Sequence, residues 1–473
     1  MKRQDEIRES YIRVFIPVCA SIFFIFESDV HCVYTAYEYG HKTFQKQLFP
    51  NISNASSSEE SLCETNTSSQ AYKDEQVVQQ VVARWGVYIN LAQGVPLVFS
   101  SLLFSSLSDS MGRKPLLFIV AIGFFTKQLL MTLAMVMEWN IYLFPFFTLI
   151  EGASGSWITE NAIAYAVVAD ITNAGKHRSF LMTLLSLVSG TGFSVGTFVS
   201  GYIVTEIGYE YSMAVSCGSA GLAIMTICFI PETVSKTQRR KSNFSSIGNL
   251  KDMIQFYTKD DPSSPNSTRF RYLTAILAFY FAMGAKFGAF AFEVFYLLGP
   301  PFCFRPKEIS IFETVKTSIS KLVVILGMKP MQRCLMDELI ALIGILSCTA
   351  MFVLFGVAQT ETFLYIAVAV GCFVSCIPAI LRAIMSKMTP QDKQGVLFVS
   401  TGVLFGSIAV AENICNLSSS VIGGAIYSET VALYRGTAYF VLTGYLVLSA
   451  FLLLAFIKND KKNHNRKDYI AVE

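Results

Sequence analysis

Apolar runs that are long enough to cross a lipid bilayer recur along this sequence and constrain its fold more than any other feature. A transmembrane helix needs about 20 mostly apolar residues, and runs of this length recur between Val14 and Ile457. Because 53% of the 473 residues are hydrophobic and only 15% are charged, the composition differs from that of soluble proteins. The sequence therefore predicts an all-α integral membrane protein.

The runs divide into two sets of six, separated by the basic segment 231–272, which has no hydrophobic periodicity. The eighth run is interrupted by Glu313, Lys316 and Lys321, which indicates a face that lines water rather than lipid. The predicted helices span residues 14–37, 85–107, 115–137, 141–169, 180–204, 211–230, 273–298, 311–330, 335–357, 362–385, 396–427 and 436–457. The predicted organisation is a tail 1–13, a six-helix half 14–230, a linker 231–272, a six-helix half 273–457 and a tail 458–473.

Basic residues in the short loops predict the orientation. Four of them precede the first run and a basic tail follows the last, so both termini are predicted to be cytoplasmic. The polar loop 38–83 then faces outward, and it holds three glycosylation sequons, at Asn51, Asn54 and Asn66. A loop rich in Ser and Asn also produces sequons by chance, so glycosylation is a hypothesis that the orientation supports.

A charged turn joins the second and third runs, with Asp109 followed by Gly112, Arg113 and Lys114. An ordinary cytoplasmic loop would also carry these positive charges. The spacing, however, resembles the signature loop of the major facilitator superfamily, although Ser105 stands where that family usually has glycine. The resemblance implies twelve helices in two six-helix halves, with Asp109, Gly112 and Arg113 in gating roles.

Three further segments carry a closer resemblance to the proton-coupled folate transporter and thymic stromal cotransporter family, solute carrier family 46. They are residues 168–170 with 177–180, residues 299–303, and residues 382–387 with 394–398. The resemblance implies transport of a folate-like, sulfated steroid, nucleotide or peptidoglycan-derived anion, and a gating role for Asp170. Two positions depart from the folate carriers: Ser186 replaces a glutamate and Lys286 replaces a histidine. Since lysine stays charged over a wider pH range than histidine, pH dependence of the folate type is in doubt.

Basic residues inside the predicted helices form the candidate substrate site. An ionisable side chain at mid-membrane costs about 2.5 to 3.5 kcal/mol on insertion scales, so each such residue invites a functional explanation. We predict that Arg382, Lys286 and Lys127 bind the anionic substrate. The planar guanidinium of Arg can donate two parallel hydrogen bonds to a carboxylate or phosphate, and the ammonium group of Lys supplies a compact positive charge. The alternatives are that Arg382 snorkels to the cytoplasmic surface and that Lys286 pairs with Glu293.

Carboxylates inside the predicted helices are the candidates for proton coupling, because a carboxyl group that alternates between buried and wet surroundings can bind and release a proton. We predict Glu160, Asp29 and Glu293 in this role. Asp29 and His31 are predicted either to form a titrating pair or to be wet residues at the outer mouth.

Two of the eleven cysteines, Cys63 and Cys303, fall in predicted outer loops. An oxidising compartment favours disulfides, so we predict a bond between them, the alternative being two free thiols. No metal-binding spacing, phosphate loop or hydrolase motif is evident, so no metal or other cofactor is expected. A net charge of +3 gives no reason to expect nucleic acid.

The sequence therefore predicts a secondary transporter that moves a small organic anion by alternating access, with proton symport, in the plasma membrane or an endolysosomal membrane. A pH-independent facilitator and a non-transporting receptor are the alternatives. An enzyme is not expected, because no convergent nucleophile and base are evident.

Overall fold

The computed structural model describes residues 2–50, 70–172, 175–234, 267–298, 301–302, 304, 306–387, 401–431 and 433–470, and these ranges contain helices and no strand. In a bilayer only internal hydrogen bonding satisfies the backbone, which favours helices throughout. The described ranges contain a short 3₁₀ helix, Ile141–Leu143, and fourteen α-helices. These are α1 (Lys2–Leu48), α2 (Gln70–Ser110), α3 (Arg113–Val136), α4 (Phe144–Ser154), α5 (Ser156–Ile171), α6 (Lys176–Glu206), α7 (Tyr209–Cys228), α8 (Ser267–Leu298), α9 (Pro306–Cys334), α10 (Asp337–Val357), α11 (Glu361–Val370), α12 (Cys376–Lys387), α13 (Thr401–Thr430) and α14 (Thr437–Ile470).

Eight helices in the described ranges are long and apolar enough to cross a membrane by themselves. The prediction of continuous helices at 141–169 and 362–385 was wrong. The first breaks between α4 and α5, where Gly155 and Ser156 have φ values of 108° and 47°. The second breaks in a turn at 371–375, so that Pro378 lies in the first turn of α12 instead of kinking a longer helix. If each broken pair is counted as one crossing, the fourteen α-helices of the described ranges correspond to the twelve predicted crossings.

Several helices extend past the apolar runs. The first ends at Leu48 instead of residue 37, and the last ends at Ile470 instead of residue 457. Helix α8 begins at Ser267, within the segment predicted as linker. Hydropathy marks only the part of a helix that suits lipid, so polar helical ends are not visible to it.

The two halves repeat one packing plan. In the N half (α1 to α7), α1 packs against α6 and α7, and α3 packs against α7. In the C half (α8 to α14), α8 packs against α13 and α14, and α10 packs against α14. The halves meet where α2 and α5 contact α13 and where α6 contacts α9 and α12. Side chains at these seams can therefore serve both halves.

Candidate functional site

Lys127 lies in a buried ion cluster of the N half. Its Nζ contacts Asp29 Oδ1 at 3.1 Å and Glu151 Oε2 at 2.6 Å, joining α3 to α1 and α4. Gln93 Nε2 donates to the other oxygen of Glu151 at 2.7 Å. Two predicted residues, Lys127 and Asp29, are thus brought together, and the charge of Lys127 is compensated within its own half.

His31 does not pair with Asp29. Its Nδ1 lies 3.1 Å from Glu27 Oε1, and its Nε2 lies 2.9 Å from Ser212 Oγ. The side chain is fully buried, so neither a titrating pair with Asp29 nor a wet histidine at the outer mouth describes it. Spacing alone could not decide this, because residues four apart share a helix face whereas residues two apart do not.

Arg382 is 3% exposed and does not snorkel to a surface. Its guanidinium forms an ion pair with Glu412 of α13. The same group lies over two aromatic rings, 4.8 Å from the centroid of Tyr165 and 5.2 Å from that of Phe279. Because Tyr165 belongs to α5 of the N half, Arg382 contacts both halves. Ser186, which replaces the glutamate of the folate carriers, lies beside Tyr165.

Lys286 and Lys321 are two cations without a carboxylate partner among the described residues. Lys286 is partly buried on α8, within electrostatic range of Lys321, Arg382 and Glu412. Lys321 is 8% exposed, and its Nζ has no hydrogen-bond partner within the described part of the chain. Sequence analysis noted Lys321 only as a charge on a wet face; its burial against the other half could not be predicted from the sequence.

Glu293 does not pair with Lys286. Its partner is Lys316 of α9, with Nζ 2.7 Å from Glu293 Oε1 and 2.7 Å from Glu313 Oε1. The C half therefore has an ion cluster of one lysine and two carboxylates, like the cluster around Lys127 in the N half.

Glu160 is a buried carboxyl group with no cation against it. It is fully buried on α5, and both carboxyl oxygens lack a hydrogen-bond partner among the residues that the structure describes. A charged carboxylate is costly in such surroundings. Glu160 is therefore the predicted proton-coupling residue whose environment is least suited to a permanent negative charge.

Two of the residues predicted to gate, Arg113 and Asp170, meet at the turn between α2 and α3. Arg113 Nε contacts Asp170 Oδ2 at 3.0 Å, which ties this turn to the end of α5. Glu232 accepts hydrogen bonds from the backbone N–H groups of Arg113 at 2.9 Å and of Lys114 at 3.2 Å, at the N-terminus of α3. Glu232 was not predicted, because it follows α7 and bears no spacing relationship to the turn. The side chain of Asp109 lies outside the described set.

The two halves also touch at the end of the molecule that carries the α2–α3 turn, named here the turn end. Arg178 NH1 donates to Ser386 Oγ at 3.0 Å, from α6 to α12. Ser179 donates to Asp337 of α10, and Lys387 forms an ion pair with the same carboxylate. These contacts close the turn end in this conformation.

The remaining predicted positions are the cysteines and the glycosylation sites. The nine cysteines in the described ranges are free thiols, and no group of three His, Cys, Asp or Glu side chains there is arranged to hold a metal ion. The predicted disulfide and glycosylation sites lie outside the described residues: Cys63, Cys303, Asn51, Asn54 and Asn66.

Two repeated helical halves with charged groups buried at and near their contact are the architecture of a secondary transporter. The sequence pattern of the Major Facilitator Superfamily matches residues 82–411. The chain belongs to this superfamily and is a multi-pass membrane protein.

Individual relatives extend this assignment. The chain is 27% identical to the lysosomal proton-coupled steroid conjugate and bile acid symporter SLC46A3 of Rattus norvegicus over 406 residues, which cover 85% of each chain. It is 24% identical to the proton-coupled folate transporter of Bos taurus over 393 residues, covering 82% of this chain and 81% of the relative. These relatives confirm the predicted resemblance to solute carrier family 46.

Solved structures support the fold. The human organic anion transporter MFSD10 matches with a TM-score of 0.65 at 17% identity, covering 93% of this chain and 99% of that one. The proton:xylose symporter XylE matches with a TM-score of 0.64 at 14% identity, covering 95% and 96%.

Proposed function

We propose that this chain is a proton-coupled secondary transporter of small organic anions, with no enzymatic activity. The observation that carries the proposal is the pair of neighbouring lysines, Lys286 and Lys321, neither of which has an ion pair with a carboxylate among the described residues; Lys286 also lies near Arg382. A buried charge without a partner is costly, and a bound anion would remove that cost. The site therefore suits a substrate with a carboxylate, sulfate or phosphate group.

Arg382 gives this site a second feature. In the present conformation the guanidinium of Arg382 forms an ion pair with Glu412, and it lies against the rings of Tyr165 and Phe279. A substrate carboxylate or sulfate competes with Glu412 for the same donors, because these groups match the planar fork of Arg. Substrate binding at Arg382 thus also changes a contact with the N half. Lys127, the third predicted ligand of the anion, already contacts Asp29 and Glu151, so an anion would have to displace one of these carboxylates to bind there.

Three predicted carboxyl groups support proton coupling. Both carboxyl oxygens of Glu160 lack a hydrogen-bond partner among the described residues, so we propose that a proton neutralises this group. Asp29 and Glu293 belong to clusters in which one lysine, Lys127 or Lys316, contacts two carboxylates. When all groups in such a cluster are ionised, one negative charge is in excess, and a single proton balances it. The absence of a glutamate at residue 186 therefore does not remove every proton site.

Alternating access follows from the contacts at the turn end. The hydrogen bonds from Arg178 to Ser386 and from Ser179 to Asp337 join the two halves at this end and must part when the site opens to that side, whereas the Arg113–Asp170 ion pair ties α3 to α5 within the N half. The basic residues of the short loops favour a cytoplasmic location for the turn end and both termini. The loop 38–83 then lies outside, where we propose that Asn51, Asn54 and Asn66 are glycosylated. We also propose that Cys63 and Cys303 form a disulfide on that side.

The named relatives guide the choice of substrates and membranes. One is called a steroid conjugate and bile acid symporter and another a folate transporter. We propose the same chemical range for this chain, with nucleotide- and peptidoglycan-derived anions as further candidates. The description of one relative as lysosomal favours an endolysosomal membrane, with the plasma membrane as the alternative.

The test is uptake of labelled anions by cells that express the chain, at external pH of about 5.5 and about 7.4. The panel includes folate, a sulfated steroid, a bile acid and a cyclic dinucleotide. Uptake that increases in acid and is lost in Lys286→Ala, but is retained in the control Lys46→Ala, supports the proposal. Equal uptake at both pH values supports a facilitator, and binding without uptake supports a receptor.

A further inference from the structure

A basic pocket opens at the turn end, away from the buried cations. It has a volume of about 470 Å³, and its lining comes from the start of α6 and the last two turns of α9. The lining residues are Lys176, His177, Phe180, Lys329, Gln332 and Arg333.

The charge of this pocket is one-sided. Three of its lining side chains carry a permanent positive charge, one is a histidine, and none is acidic. The neighbouring carboxylate of Asp337 is buried and is bound by Ser179, Gln332 and Lys387. Asp337 therefore has its own partners, and the described side chains that line the pocket are basic or neutral.

The side chains in the pocket are positioned by the fold. Lys329 Nζ lies 4.9 Å from the centroid of the Phe180 ring, which fixes a cation of the C half on an aromatic ring of the N half. Lys176 donates across the same seam to the carbonyl oxygen of Gln332. Arg333, in the last turn of α9, is exposed and offers the planar donor fork that suits phosphate oxygens.

The depth of the pocket points to the membrane surface. The candidate membrane span of α6 begins at Lys176 and the polar last turn of α9 ends at Cys334, so the basic groups lie at the ends of both helices, where the headgroup region is expected. Basic pockets between transmembrane helices on the cytoplasmic side suit phosphorylated lipid headgroups.

We propose that this pocket binds a multiply charged phosphate group, supplied by the headgroup of a membrane phosphoinositide, and that the bound group holds the turn ends of α6 and α9 together. Because the walls belong to both halves, a ligand that fits only the closed arrangement stabilises it at the expense of the open one. The lipid would thereby slow the step that opens the turn end.

The experiment measures binding to the purified full chain, with short-chain phosphatidylinositol bisphosphate, inositol trisphosphate and short-chain phosphatidylcholine as probes. The test variant is Lys329→Ala with Arg333→Ala. The matched control is Arg13→Ala with Lys458→Ala, which removes two exposed basic residues elsewhere. We expect the test variant to bind the phosphoinositide roughly 30-fold more weakly and the control to bind like the natural chain.

The remaining outcomes are also decisive. Tighter binding of the phosphoinositide than of inositol trisphosphate supports the lipid source, and equal binding supports a soluble phosphate in the same pocket. Equal binding by the natural chain and the test variant, or an equal loss in the control, overturns the proposal. Arg333→Glu alone serves as the second variant if the double variant does not fold. Since the readout is binding, it is independent of the proposed anion transport.

Discussion

Lys321 of the C half is packed directly against Gly190 of the N half. A Cβ atom added at Gly190 would lie 2.0 Å from Lys321 Nζ, so the glycine leaves room for the ammonium group at the seam between α6 and α9. Lys321 has no carboxylate partner among the described residues, although it is almost completely buried. A position of this kind lowers the stability of the protein and so calls for a functional explanation.

Replacement of Lys321 by methionine is expected to stabilise the protein and to impair transport. The variant keeps the length of the side chain and removes an uncompensated buried charge, so the free energy of unfolding should rise by about 0.5 to 2 kcal/mol. Anion uptake should fall by at least tenfold. The melting temperature in detergent measures the change in stability, and anion uptake at equal amounts of protein in the membrane measures the change in transport. Lys46→Met, on an exposed site of α1, should change neither, and a destabilised Lys321→Met with normal uptake would contradict the account.

Glu160→Gln is expected to uncouple transport from protons. The amide keeps the shape of a protonated carboxyl group but binds no proton, and Glu160 has no cation partner in the described ranges that would be left alone. Uptake against a concentration gradient, which in the natural chain should rise as external pH falls, should be lost, whereas exchange of labelled for unlabelled anion should persist at all pH values. Unchanged accumulation with an unchanged pH profile would exclude Glu160 as the coupling residue.

The sequence predicted much of the fold, but not which buried charged side chains contact each other. Hydropathy and loop charge gave twelve crossings, because lipid imposes a simple rule on each segment. Hydropathy could not show the break at Gly155 and Ser156, because the break depends on the backbone φ values of these two residues. Partners such as Glu412 for Arg382 and Lys316 for Glu293 depend on helix rotation and tilt, which a single sequence does not encode in any local pattern.

Glu151→Gln is expected to destabilise the N half. Asp29 would still balance the charge of Lys127, but the amide would replace the ionic contact of 2.6 Å by a weaker neutral one, and hydrogen bonds to charged groups contribute about 1.5 to 3 kcal/mol. The expected result is a lower melting temperature and less protein at the membrane. Glu206→Gln, an exposed substitution at the end of α6, provides the matched control. A melting temperature equal to that of the control would show that Lys127 does not depend on Glu151.

Gly112→Ala is expected to distort the gating turn. Gly112 has a φ of 106°, and an added Cβ would lie 2.2 Å from Glu232 Oε2. The left-handed backbone costs an alanine about 1 to 2 kcal/mol, and the clash displaces the carboxylate that caps α3. Transport should slow more than anion binding weakens. Gly201→Ala, where no atom lies within 4 Å of an added Cβ, should be tolerated. Equal transport by the two variants would argue against a role for this turn in gating.

Proton-coupled transport of an anion by this chain can be measured as anion-evoked proton movement in proteoliposomes. The purified chain is reconstituted with a pH-sensitive dye inside the vesicles, and a sulfated steroid is added outside without an imposed pH gradient. The account predicts acidification of the interior that requires the anion, is lost in Lys286→Ala and Glu160→Gln, and is retained in Lys46→Ala. Uptake of labelled steroid sulfate by the same vesicles without any change in internal pH would contradict proton-coupled transport by this chain.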